Sequence, residues 1–214
     1  MIPTVSPSTR TVVIASGNQG KLAEIRQLLA PLELDVRPQS DFTIQPVAET
    51  GATFLENALL KARHASAIAG LPAIGDDSGL EVAALGGGPG VRSSRFAGEA
   101  ATDEENIEKL LKALRNLPEG ERKANFTCVA VYVRSPDDPQ PLVAEGRWDG
   151  SILSQRRGGG GFGYDPVFLD PVAGRTAAEM NGEEKNSASH RGQAFRALSA
   201  LIAESVDARQ GDRT

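Results

Sequence analysis

Two adjacent acids, Asp76 and Asp77, follow the short apolar run at 73–75 and precede Ser78 and Gly79. A carboxylate at the end of a strand can bind a hard divalent cation or position a water, and the Ser78 hydroxyl can hydrogen-bond a phosphate oxygen. Neighbouring side chains on extended backbone point opposite ways, so the pattern predicts that one of the two carboxylates faces a site. An Asp-Asp-Ser-Gly surface turn is the plainer alternative. Glu49, in a Glu-Thr-Gly segment, is a second candidate metal ligand, or else a solvated loop acid.

Ser16, Gly17, Asn18, Gln19, Gly20 and Lys21 lie between a β-branched run and an amphipathic stretch. Such a turn points backbone N–H groups at an anion and adds a lysine charge, so it reads as a phosphate cradle. It is not a Walker loop, which needs four residues between its glycines and a hydroxyl after the lysine; here there are two residues and Leu22. The bland alternative is a tight turn with a solvated lysine. Thr53, Asn57, Lys61 and His64 form a polar stripe along one helix, from which Lys61 could reach a phosphate. The stripe can equally be a solvent face, which is the preferred reading for His64.

Near the C-terminus, Phe162 and Tyr164 flank Gly163 and are followed by Asp165, which combines an aromatic stacking face, bare backbone and a carboxylate. If Ser189 caps the last helix, His190 and Arg191 fall in its first turn, where the helix dipole disfavours cations. A carboxylate, a phosphate or a base carbonyl would compensate. Lys185 is a third cation that could reach the same ligand.

These residues need a frame. The runs at 11–16 and 32–37 read as strands around a helix at 22–30, and residues 73–75 as a short third strand. A long helix covers 53–69 and another 102–117, the latter opened by a Thr102/Glu105 capping box. Alternation at 124–133 and the extended run at 141–148 read as an antiparallel hairpin, and a helix carrying Ala194, Leu198 and Leu201 closes the chain. The expected fold is α/β, a mixed twisted sheet flanked by helices, with two lobes around a central cleft. One domain over 11–205 is expected, with tails at 1–10 and 206–214.

Composition narrows the partners. With 214 residues, 40% apolar and a net charge of -5, the chain can build a core and lacks the basic surface that coats a nucleic acid polymer. A small ligand is expected. Its one cysteine, Cys128, lies in an alternating apolar run and supplies neither disulfide nor metal cluster, which suits a reducing cytoplasm. No apolar run is long enough to cross a bilayer.

The segments SGNQGK, ETGATFLENALLKARHA, GDDSGLEVAALGGGPGVRSSRFAG, GFGYDPVF and EEKNSASHRGQA resemble, in order and spacing, the inosine triphosphate pyrophosphatase family, the XTP/dITP diphosphatases. The resemblance spans about 11–201. It implies magnesium-dependent cleavage between the α- and β-phosphates of purine nucleoside triphosphates by a homodimer. It further implies that residues 16–21 and Lys61 bind phosphates, that Asp77 is general base and magnesium ligand, and that Glu49 also holds metal. Ser78 would touch substrate, while Phe162, Gly163, Tyr164, Asp165, Lys185, His190 and Arg191 would hold the nucleoside. One departure is visible: the family usually has a single glycine before this aromatic segment, whereas this chain has four, Gly158 to Gly161, which predicts a more mobile loop. A nucleotide-binding regulator and a P-loop enzyme are the rival readings.

Overall fold

A computed structural model describes residues 10–211, with side chains described over 10–205. Most of the first expected tail, and residues 212–214 of the second, lie outside the described residues. Seven strands form one sheet in the order β2-β1-β3-β4-β5-β6-β7. β1 (Thr11–Ile14) pairs in parallel with β2 (Asp35–Pro38) and β3 (Ala73–Val82). From β3 onward every neighbour is antiparallel: β4 (Lys123–Val133), β5 (Leu142–Ile152), β6 (Phe168–Asp170) and β7 (Arg175–Thr176). The expected hairpin is β4–β5.

Strand alternation sorts the core by face. On one face Val12, Ile14, Ile74 and Cys128 pack under α1 (Gln19–Leu29) and α5 (His190–Gly211). On the same face, farther along β3 and β4, Leu80, Val82 and Phe126 pack with α3 (Asp103–Leu114). The opposite face carries Val13, Ala73, Val129 and Val131 against α2 (Phe54–Ala69). Gly75 lets α2 touch the sheet, because a Cβ there would collide with the Ala58 carbonyl. Capping boxes open α2 at Thr53/Glu56 and α3 at Thr102/Glu105. A short helix, α4 (Gly182–Ala188), precedes α5, which runs six residues past the domain end expected at 205.

One expectation needs correction: the third strand does not stop before the acids. It continues through Asp76, Asp77, Ser78 and Gly79 to Val82, paired with β4 at all ten positions. Its register with β1 ends at Ile74. Beyond that point β1 no longer pairs with β3; the segment at 87–93 bonds the same edge farther along, at Leu80–Val82, and β3 is the strand shared by the two lobes.

Candidate active site

The cleft, about 300 Å³, lies where β1 has ended and β3 runs on. This is the place where an open sheet with diverging connections leaves a crevice. Ser16, Gly17, Asn18, Lys21, Glu49, Lys61, Asp77 and Ser78 line it together with Phe162, Gly163, Tyr164, Asp165, Lys185, His190 and Arg191. Gln19 and Gly20 do not. Gln19 is exposed in the first turn of α1, and Gly20 seats the Phe162 ring, which lies 2.9 Å from where its Cβ would be.

Asp76 and Asp77 do point to opposite faces, yet both line the cleft; the expectation of one facing carboxylate is corrected. Asp76, on the α1/α5 face, pairs with Lys21 Nζ at 3.1 Å. Burial opposes its ionisation, but Lys21, Arg191 and Lys61 outweigh burial and hold it far below the usual carboxylate range. Asp77 faces α2. Lys61 Nζ donates to Asp77 Oδ1 at 3.0 Å and to Glu49 Oε1 at 2.8 Å, and Asn57 Nδ2 donates to Asp77 Oδ2 at 3.1 Å. Burial, with the nearby Glu49 charge, pushes the Asp77 carboxyl above its ordinary value despite Lys61. Glu49 is held below its ordinary value: burial resists this, and Lys61 and Arg95 prevail.

Two hard oxygen donors, Glu49 Oε1 and Asp77 Oδ1, thus converge on one cation, here the Lys61 ammonium. Among the described residues no group of three or more His, Cys, Asp or Glu could hold a metal alone. The pair fits magnesium, which is commonly held by one or two carboxylates, with phosphate oxygens and waters completing its shell.

At the other end Arg191, 2% exposed, donates to Glu24 Oε2 at 2.6 Å and to Ser78 Oγ at 3.0 Å. Glu24 also pairs with Lys185 at 3.0 Å, and Lys185 Nζ donates to Asp165 Oδ2 at 2.6 Å. The compensating acceptor for the cation in the first turn of α5 is therefore a carboxylate from α1. Ser189 Oγ accepts the Gly192 N–H, as a cap should. Phe162 lies over both cations, its centroid 4.6 Å from Lys185 Nζ and 5.5 Å from Arg191 Cζ. Asp165 Oδ2 also accepts the Phe162 N–H at 3.0 Å, and Tyr164 donates its hydroxyl to the Ser93 carbonyl at 2.8 Å. Two glycines of the run are sterically required: Gly158 and Gly161 have φ of 79° and 73°, and a Cβ on Gly161 would collide with Asp165. Gly160 is tied to the Ala178 carbonyl at 3.1 Å.

His190 stacks on Phe126 with centroids 4.7 Å apart, and burial, with Arg191 and Lys185 beside it, keeps its pKa well below 6.5. In the unfolded chain it binds a proton near pH 6.5, so its contribution to stability is complete above that value and is lost as pH falls toward the depressed folded value. The expected loss is about 1.4 kcal/mol per pH unit across that window. Denaturant melts of wild type and His190→Leu between pH 7 and 5 check this; parallel curves would refute it.

Sequence reasoning missed Glu24, Arg95 and Asp103. Arg95 grips Glu49 Oε2 at 3.1 Å, and Asp103 Oδ2 accepts the Gly163 N–H at 2.6 Å. Nothing in their residue types marks them; each is joined to its partner only by the fold. His64, half-buried, also borders the cleft, its Nε2 3.0 Å from the Gln45 carbonyl.

An open mixed α/β sheet with a crevice at the end of its first strand, cations at both ends and a carboxylate pair between them, defines a protein with a cleft suited to a small polyanion. Comparison with known proteins agrees. A sequence model of the Ham1 family matches residues 12–201, and the chain belongs to that family. It is 54% identical over 187 residues to a dITP/XTP pyrophosphatase of Photorhabdus laumondii, covering 87% of this chain and 95% of that one. A dITP/XTP pyrophosphatase of Yersinia pseudotuberculosis is 55% identical over the same span. The solved HAM1 protein of Coxiella burnetii superposes with a TM-score of 0.85 at 49% identity, covering 92% of this chain and all of that one. The Staphylococcus aureus Ham1 protein gives 0.80 at 41% identity, again over 92% of this chain and 100% of that one.

Proposed function

We propose that this chain hydrolyses non-standard purine nucleoside triphosphates, those of inosine, deoxyinosine and xanthosine, to the monophosphate and pyrophosphate, removing them from the nucleotide pool. The observation that carries the reading is the close likeness to dITP/XTP pyrophosphatases over 95% of their length, with cations and carboxylates gathered in one cleft. Lys21 and Lys61, with the loop at 16–18, bind the triphosphate and stabilise charge on the departing pyrophosphate. Asp77 accepts the proton of the attacking water, a role helped by a carboxyl that burial makes more basic. Glu49 and Asp77 would hold magnesium, which when bound neutralises phosphate charge and acidifies a coordinated water. Lys185, Arg191 and the Phe162 ring hold the base. Ser78, already an acceptor for Arg191, links that end of the cleft to β3. The buried Cys128, its thiol pushed up to about 12 mainly by burial, takes no part.

A homodimer in the cytoplasm completes the proposal, and a sedimentation mass of two chains checks the dimer. Among the described residues no helix is long and apolar enough to cross a membrane. The test of the reaction is incubation with inosine triphosphate and magnesium, with and without a chelator. Pyrophosphate release that the chelator abolishes is expected; orthophosphate alone, from a preparation free of inorganic pyrophosphatase, sinks the reading.

Lys21→Met and Lys61→Met should each weaken triphosphate turnover while leaving the preference for inosine over adenosine triphosphate within about twofold, since neither lysine meets the base. The Lys61 variant should lose more, because Lys61 also bridges Glu49 and Asp77. Steady-state kinetics with both nucleotides check this, and a changed ratio contradicts the division of the cleft.

A further inference from the structure

Asn57, fully buried near the start of α2, shares its amide between two parts of the cleft. Its Oδ1 accepts the Gly51 N–H at 2.8 Å, and its Nδ2 donates to Asp77 Oδ2 at 3.1 Å. The two ends are not interchangeable, because a backbone N–H can only donate and an ionised carboxylate can only accept. Gly51 stands two residues after Glu49, and a Cβ on Gly51 would lie 2.7 Å from Asn57 Oδ1. The contact therefore requires glycine at one end and asparagine at the other.

We propose that Asn57 is a positioning residue, which holds the Glu49 loop and the Asp77 carboxylate in register so that both converge on one cation. The inference rests on the function proposed above for the reaction it serves. Asp77 is restrained at both oxygens, by Lys61 at Oδ1 and by Asn57 at Oδ2. Without the amide, one restraint is gone: the loop carrying Glu49 keeps its ties to α2 through Lys61 and Glu56 but loses the one that also reaches Asp77. Aspartate at 57 would set two carboxylates face to face. Leucine would leave the Gly51 N–H and Asp77 Oδ2 unpaired in a buried place, which folded proteins avoid. Because a displacement of about 1 Å at a reacting group lowers rates roughly a hundredfold, the effect belongs in kcat. The amide touches neither the loop at 16–21 nor the residues around Phe162, so KM for the nucleotide should change little.

Two variants break the bridge from opposite ends. Asn57→Ser is too short to span it, and Gly51→Ala drives a methyl group toward Oδ1. For each, melting temperature, kcat and KM for inosine triphosphate are measured, and Mn2+ binding is followed by electron paramagnetic resonance without nucleotide. Both folded variants are expected to lose at least about tenfold in kcat, keep KM within about threefold, and bind Mn2+ about fivefold more weakly. The double variant should be no worse than about twofold beyond the weaker single, since both remove one interaction. Folded variants with kcat within about threefold of wild type, activity lost through KM alone, or unchanged Mn2+ affinity would each overturn the proposal. The Mn2+ result needs no turnover, so it decides the bridge even if wild type fails to release pyrophosphate, an outcome that would sink the proposed function instead.

Discussion

Asp77→Asn is expected to lower kcat by at least about two orders of magnitude and to leave the fold intact. The amide keeps the shape of the carboxyl but removes the proton acceptor and half the charge that would hold a cation. Stability should survive because burial already opposes the ionised form of this residue, as its raised pKa records. Asp76→Asn should show the reverse balance. The Asp76 charge is favoured in the fold by Lys21, Arg191 and Lys61, so neutralising it weakens that cluster by about 3–5 kcal/mol while turnover falls less. Turnover at saturating magnesium and a denaturant melt for both variants separate the two roles. Equal activities, or near-normal turnover in Asp77→Asn, would show the roles to be wrongly assigned.

The second large effect is on base choice. Arg191 has five N–H donors and no acceptor, and its two bonds to Glu24 and Ser78 leave others to meet a ligand. Set against position 6 of a purine, it favours the carbonyl of hypoxanthine or xanthine and opposes the amino group of adenine. A buried donor facing donors costs about 1–3 kcal/mol, roughly ten- to a hundredfold in selectivity. Arg191→Ala should therefore lose activity on inosine triphosphate far more than on adenosine triphosphate. The ratio of kcat/KM for the two nucleotides reads this, and an unchanged ratio removes Arg191 from base recognition. Guanine also has a 6-carbonyl, so a contact at that position does not separate it from hypoxanthine.

Helices α2 and α3 were legible because apolar periodicity and capping residues are local signals, and the turn after β1 was legible because glycines there separate a β-branched run from an amphipathic one. What escaped was decided by partners far along the chain. Asp-Asp-Ser-Gly reads locally as a turn, but ten positions of pairing with β4 make it strand, and Lys21 and Lys61 make two buried acids tolerable. Glu24 looks like any solvated helix acid until α5 brings Arg191 against it from 167 positions away. The polar stripe on α2 was visible, but not its direction, since only the close approach allowed by Gly75 turns Asn57 and Lys61 toward the sheet.

The shared strand has a mechanical consequence. β3 is hydrogen-bonded to β1 over two register positions and to β4 over ten. A rotation of one lobe against the other about this strand would have its axis near the stretch just past Ile74, where Asp76 and Asp77 sit. Points near a pivot travel least. The loop at 158–165, farther along the sheet, would then sweep through a wider arc than the two carboxylates.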